Sequence, residues 1–304
     1  MYRLSVGNGR LTYLKVIPMT RDKQRVMTRV GEVAYVEYGK GPVALFVHGV
    51  FLNSYLWRHV IDRVCDQRCC IAVDLYGHGD TPVGPENDVS LRGEAELLEA
   101  FCAAKGLDQV DLVANDSACA IAQIFAVRHP ERIRSLTLTN GDTHDNYPPV
   151  DFEPTRALAA SGAFSAQRQA LYDNPELLRA GFGSGYEDVA KVAPETLATY
   201  IRPLFATPEA THGVERWLEA LGDTTQTTEI EPLLRKLTAP TLIVWGTGDH
   251  FFPIKWAHWL KERIPGAREI VELDGAKLFF PEERPDELAA ALKDHWRAMT
   301  PAMA

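Results

Sequence analysis

Apolar residues gather in short unbroken runs at 43–47, 70–75, 109–114, 132–139, 239–246 and 267–273, separated by stretches of helical spacing. Their length and β-branched content predict strands buried on both faces, and the alternation with helices predicts a mostly parallel sheet. Residues 33–38, Val-Ala-Tyr-Val-Glu-Tyr, lead into the turn Gly39-Lys40-Gly41-Pro42 and predict an antiparallel entry into that sheet. Helical spacing is clearest at 94–105, where Leu97, Leu98 and Phe101 share a face, at 121–130, and from Lys255 onward. Asn8-Gly9, between two alternating segments, predicts a hairpin, so residues 1–24 read as an N-terminal extension.

The alternation stops between Asp151 and Leu237. Short amphipathic segments with Gly and Pro breaks, such as Gly181-Phe182-Gly183-Ser184-Gly185, replace it, and no strand pattern interrupts them. This predicts a helical insertion over 141–237 that divides one α/β core into 25–140 and 238–304.

Composition narrows the functional classes. A chain of 304 residues with 46% hydrophobic content is long enough for one elaborated domain with a large core. A net charge of -9 without a dense Lys/Arg patch argues against a nucleic-acid partner and for a neutral or apolar small-molecule substrate. No stretch approaches the roughly 20 apolar residues of a membrane span, and Met1 to Gln24 lacks the apolar core of a signal peptide, so the expected location is the cytoplasm. The five cysteines are odd in number and form no Cys-x-x-Cys pair, which predicts reduced, buried thiols and implies neither a metal nor a cofactor. Self-association is left open, a homodimer included.

The chemistry centres on Val113-Ala114-Asn115-Asp116-Ser117-Ala118-Cys119-Ala120, where an apolar strand turns directly into an apolar helix. Ala114 and Ala118, two residues either side of Asp116, are the small residues a strained strand-turn-helix elbow needs. Choosing Ser117 as the apex would put Asn115 where the turn wants a small side chain. The stretch resembles the nucleophile elbow of the α/β-hydrolase fold in its aspartate-nucleophile branch, that of haloalkane dehalogenases and epoxide hydrolases. His48-Gly49-Val50-Phe51, Ser54-Tyr55-Leu56-Trp57-Arg58, Asp74 to Thr81 and Ala239 to Asp249 follow that family's order.

The resemblance implies a mostly parallel eight-stranded sheet with a helical cap, covering the chain from Arg25 onward. It implies Asp116 as nucleophile, Asp249 as triad acid, and an anion hole formed by Val50 or Phe51 together with Ser117. It also places His48, Trp57, Asn140, Asp142, Tyr147 and Lys277 around a substrate pocket, with Asn140 at an alternative acid position. Cap tyrosines donate to the epoxide oxygen in epoxide hydrolases, which draws attention to Tyr147, Tyr172, Tyr186 and Tyr200. The Asp74–Thr81 loop and His78 read as structural turn chemistry.

Three positions depart from the family pattern. Val50 stands where dehalogenases commonly have Asn and Ser117 where they have Trp, so the resemblance does not carry halide release. Leu278 stands at the catalytic histidine, within Gly275-Ala276-Lys277-Leu278-Phe279-Phe280-Pro281. Leucine cannot activate the water that cleaves an alkyl-enzyme ester. The preferred reading is hydrolysis with Asp116 as nucleophile and His144 or His250 as the substitute base; the alternatives are elimination, isomerisation or cyclisation with Asp116 as general acid or base, or ligand binding without turnover. For the first alternative, an apolar wall at Leu278, Phe279 and Phe280 would raise the Asp116 pKa, unless Lys277 paired with Asp116 or Asp249.

Overall fold

The computed structural model describes residues 2–7, 10–15 and 22–299. Strands β1 (Tyr2–Gly7) and β2 (Arg10–Lys15) pair antiparallel as a separate ribbon, and the turn expected at Asn8-Gly9 lies outside the described residues. The main sheet comprises β3 (Gln24–Thr28), β4 (Gly31–Tyr38), β5 (Val43–Val47), β6 (Cys69–Val73), β7 (Val110–Asp116), β8 (Ile133–Gly141), β9 (Thr241–Gly246) and β10 (Ala267–Leu273). Its order is β10-β9-β8-β7-β5-β6-β4-β3. β4 runs antiparallel to both its neighbours, and the pairs from β6 across to β10 are parallel.

β7 is buried at every position, because helices cover both sheet faces and leave no polar side to its Val-Asp-Leu-Val-Ala-Asn-Asp sequence. Its one deeply buried charge before the turn, Asp111, is met by Arg68 at 2.8 Å, Arg134 at 3.0 Å and the Ser135 hydroxyl at 2.8 Å. The strand order reverses between β5 and β7, so the loops after these two strands open the crevice where open α/β sheets bind ligands. β8 extends to Gly141, two residues beyond the expected run, because Asn140 is held within the sheet by side-chain bonds to β9.

Between β8 and β9 the chain forms short helices, among them Glu153–Ala160, Ala163–Asp173, Arg179–Gly183, Pro194–Phe205 and Pro208–Ala220. Two buried carboxylates fasten this insertion to the core. Glu94, on helix Leu91–Lys105, accepts from the Trp217 indole N–H at 3.0 Å, and burial pushes its pKa up to about 8. Glu282 pairs with Arg58 and accepts from the hydroxyls of Tyr186 at 2.9 Å and Tyr200 at 2.8 Å. Phe279 adds a backbone contact, its N–H donating to the Gly185 carbonyl at 2.9 Å.

Removing only one partner of a buried ion pair leaves a desolvated charge behind. Glu282→Leu should therefore destabilise the protein by about 3–5 kcal/mol in denaturant unfolding. Arg58→Met combined with Glu282→Leu should recover part of that loss, because no unpaired charge is left.

Candidate active site

Asp116 ends β7 with φ 62° and ψ -134°, and helix Ser117–Arg128 begins at the next residue, four residues earlier than the helical spacing suggested. No loop separates strand from helix, so the carboxylate projects from the apex of the turn. Space there is minimal. A Cβ on Gly49 would lie 2.2 Å from Asp116 Oδ2, and one on Gly141 would lie 2.2 Å from the Asp116 carbonyl oxygen. Register pairing of Asp116 with Gly141 makes the second approach unavoidable.

The loop after β5 is fixed by two neutral histidines. His48 Nε2 accepts from the Leu75 N–H at 3.0 Å while Nδ1 donates to the Gly49 carbonyl at 2.8 Å. His78 Nε2 accepts from the Phe51 N–H at 3.2 Å, and Nδ1 donates to the Tyr76 carbonyl at 2.9 Å. Burial lowers both pKa values, that of His78 to about 4. His48 is thus a loop tie, not a pocket residue. Phe51, at φ 62°, spends its N–H on His78, so Val50 and Ser117 are the backbone donors that reach the Asp116 carboxylate. The Phe51 ring instead lines the cavity.

That cavity, about 300 Å³, is bounded by Asp116, Ser117, Asp142, Leu278 and seven phenylalanines at 51, 152, 164, 182, 251, 252 and 279. Among the described residues its lining includes no histidine, lysine, arginine, cysteine or tyrosine. Desolvation, with the negative charge of Asp249 added, pushes the Asp116 pKa up to about 8 against the pull of the two backbone donors. Asp116 Oδ2 and Asp142 Oδ1 are buried without a hydrogen-bond partner. Asp142 is raised well above the carboxyl range by burial and by Asp116, while the Ser117 hydroxyl lowers it.

Asp249 lies behind this surface. It accepts from Asn140 Nδ2 at 2.9 Å and from the Phe251 N–H at 2.9 Å. Asn140 also bonds both the N–H and the carbonyl of Gly246, so its amide is consumed in the sheet and does not line the cavity. Asn115 Nδ2 donates to Thr139 Oγ1 at 2.8 Å and to the Leu278 carbonyl at 3.1 Å, which fixes the loop that carries Leu278.

Residues 42–284 match the alpha/beta hydrolase fold family. The chain belongs to the α/β-hydrolase fold family. It is 28% identical over 280 residues to a haloalkane dehalogenase of Agrobacterium fabrum (87% of this chain, 88% of that one). It is also 28% identical over 278 residues to haloalkane dehalogenase 2 of Mycobacterium bovis (86% and 90%). The solved haloalkane dehalogenase DbeA from Bradyrhizobium elkani aligns with a TM-score of 0.77 at 22% identity, covering 91% of this chain and 98% of its own. Epoxide hydrolase CorEH aligns with a TM-score of 0.77 at 20% identity, covering 92% and 99%.

Several residues that the resemblance to the α/β-hydrolase fold brought forward lie elsewhere. His144 is held between Glu231 (3.3 Å) and Asp145 (3.4 Å) and against the Trp259 ring, and His250 is exposed on Phe251, so neither reaches Asp116 as a base. Trp57 is core, packed on Phe46 at 5.2 Å. Tyr147 donates to the Ala220 carbonyl at 3.5 Å, Tyr186 and Tyr200 serve Glu282, and Tyr172 is partly exposed, so no tyrosine donor lines the cavity. Lys277 is half-buried outside the lining and pairs with neither carboxylate among the described residues, and Phe280 is core. The aromatic walls from Phe152, Phe164, Phe182, Phe251 and Phe252 were not singled out in the sequence. The only sequence signal for them is the apolar side of short insertion helices and the Phe251-Phe252 pair.

The raised Asp116 pKa links to stability. Unfolded, this side chain titrates near ~3.9; folded, it binds its proton up to about 8. The folded state therefore holds more protons than the unfolded one across this window, and its stability falls as pH rises from about 4 to about 8. Asp116→Asn removes the penalty. The variant's gain in Tm over wild type should be small at pH 5 and larger at pH 8.5, by calorimetry, with a free-energy gain on the order of several kcal/mol at the higher pH.

Proposed function

We propose that this α/β-hydrolase-fold enzyme acts on a small, largely apolar molecule, with Asp116 as a proton-transfer group and without water as a reactant. The carrying observation is Leu278: where the resemblance would put a catalytic histidine, an aliphatic side chain lines the same cavity as Asp116, on a loop anchored by Asn115. Hydrolysis through an alkyl-enzyme ester needs a base in contact with the attacking water. His144 and His250 are held outside the cavity, and Asp249 is occupied by Asn140 and the backbone. A carboxylate whose pKa is about 8 is instead matched to moving protons near neutral pH. Elimination, isomerisation and cyclisation each need such a group inside a dry cavity.

A second reading is favoured by kinship with proteins named haloalkane dehalogenases, at 28% identity over most of both chains. In that reading Asp116 displaces a leaving group from an alkyl carbon, and the resulting ester persists because no base hydrolyses it. Intact-mass measurement after incubation with primary alkyl halides and terminal epoxides separates the two. Proton transfer predicts no adduct, and with a turned-over substrate it predicts solvent deuterium but no ¹⁸O from labelled water in the product. Asp116→Asn should lower that turnover by about 10²–10⁴-fold. A stable adduct on the peptide carrying Asp116 would overturn the proton-transfer reading.

A further inference from the structure

Resting on the reading of Asp116 as a proton-transfer group, we propose that Asp142 is a second catalytic residue that donates its proton to the carbonyl oxygen of a neutral, apolar ketone while Asp116 takes a proton from the adjacent carbon. The main chain holds Asp142 beside the elbow: its N–H donates to the Asp116 carbonyl at 3.3 Å, and its own carbonyl accepts from Gln123 Nε2 at 3.1 Å. Both carboxyl groups line the same cavity, and each has one buried oxygen without a partner. Ser117 stands between them, its N–H reaching Asp116 and its hydroxyl reaching Asp142.

Among the described residues, the groups facing this pair supply no positive charge. Asp249 faces Asp116, while Cys119 and Tyr147 face Asp142 with thiol and phenol pKa values raised by burial. Two carboxylates in one apolar cavity without a cation cannot both ionise, so one proton stays with the pair. When one of the two protons leaves the pair, the backbone donors of Val50 and Ser117 favour the anion on Asp116, which leaves the remaining proton on Asp142. One side chain is then an acid seeking an acceptor, and its neighbour is a base seeking an acidic C–H.

A ketone with an α-hydrogen satisfies both, and the phenylalanine walls suit an apolar or aromatic skeleton. An anionic ligand would meet Asp116, Asp142 and Asp151 in the lining. In the forward step the α C–H bond breaks and its proton passes to Asp116. The electron pair becomes the C=C bond, and the carbonyl oxygen takes the Asp142 proton to give an enol. Return of the Asp116 proton to the same carbon, or to a vinylogous one, and of the enol proton to Asp142 restores both groups and leaves an exchanged or isomerised ketone.

The probe is 1-tetralone in D₂O, with α-hydrogen exchange followed by NMR and binding by thermal shift, 2-naphthol serving as a planar enol mimic. Wild type should exchange the α-hydrogens at least about 10²-fold faster than buffer, and both compounds should raise Tm. Asp142→Asn, which keeps a weak donor, should be slower than wild type and Asp142→Leu slower still, by about 10²-fold or more. Both should lose the alkaline limb of the pH–rate profile, which a merely structural role would not move. Exchange at the wild-type rate with an unchanged profile in both variants would overturn the role of Asp142 and leave the Asp116 reading standing. Wild-type exchange in Asp116→Asn would overturn that reading as well. Absence of wild-type exchange, whether or not either compound binds, would overturn the ketone assignment.

Discussion

The site depends on one backbone constraint, the left-handed turn at Asp116 that joins a buried strand to a buried helix without an intervening residue. At φ 62° the side chain is thrown clear of the sheet, and the two neighbouring strand ends must come within a van der Waals radius of it. Gly49 and Gly141 answer that demand, because a Cβ at either position would overlap atoms of Asp116. The same turn starts the helix at Ser117, so the Ser117 N–H is free of intrahelical duty and can reach the carboxylate. A helix N-terminus favours an anion by about 0.3–1 kcal/mol near the surface, at most about 2. Moving the pKa from the ordinary carboxylate value to about 8 corresponds to several kcal/mol, on the order of 1.4 kcal/mol per unit. Burial therefore wins over the dipole, and the elbow holds a carboxyl that readily keeps a proton.

The buried Asp249 carboxylate is satisfied locally. In a triad the acid is satisfied by the imidazole. Among the described residues no imidazole donates to Asp249, and a buried carboxylate left unpaired would be strongly destabilising. Asn140 fills that gap with its amide N–H, and the backbone of Phe251 supplies another donor. Asn140 is held in turn by Gly246, so the acid has become part of the β8–β9 seam. Leu278 and Phe279 then extend the apolar wall over the space in front of Asp116. The apolar wall and the sheet-held acid fit one another, since the carboxylate that the wall cannot satisfy is satisfied by Asn140 and the backbone.

The strands and the elbow were legible because periodicity and local steric demand are properties of adjacent residues. Residues 267–273 form β10 with the bounds their apolar pattern suggested. Side-chain direction was not legible. His48 belongs to a motif beside the site, yet its ring turns to the Leu75 N–H on the next strand's loop. Asn140 was expected at the pocket, but β8 continues two residues further and points its amide into the sheet. The insertion tyrosines could not be assigned, because their partner Glu282 lies 82 or more positions away in the chain. Phe152, Phe164 and Phe182 converge only once several short helices have packed, and no local pattern encodes that convergence.

The buried acids divide the chemistry of the chain into paired and unpaired groups. Glu282 has Arg58 and two phenols, and Asp111 has two arginines, so each returns interaction energy for its desolvation. Asp116 and Asp142 pair with no cation among the described residues, and each has an unpartnered oxygen at a cavity walled by phenylalanine. The paired acids secure the core and the insertion that together wall the cavity of the unpaired ones. An apolar site makes the field of each carboxyl stronger on a bound molecule than it would be in water. The destabilisation concentrated at Asp116 and Asp142 is thus borne by the rest of the fold, and it is the same unmet demand for a proton or a donor that a substrate in the cavity would satisfy.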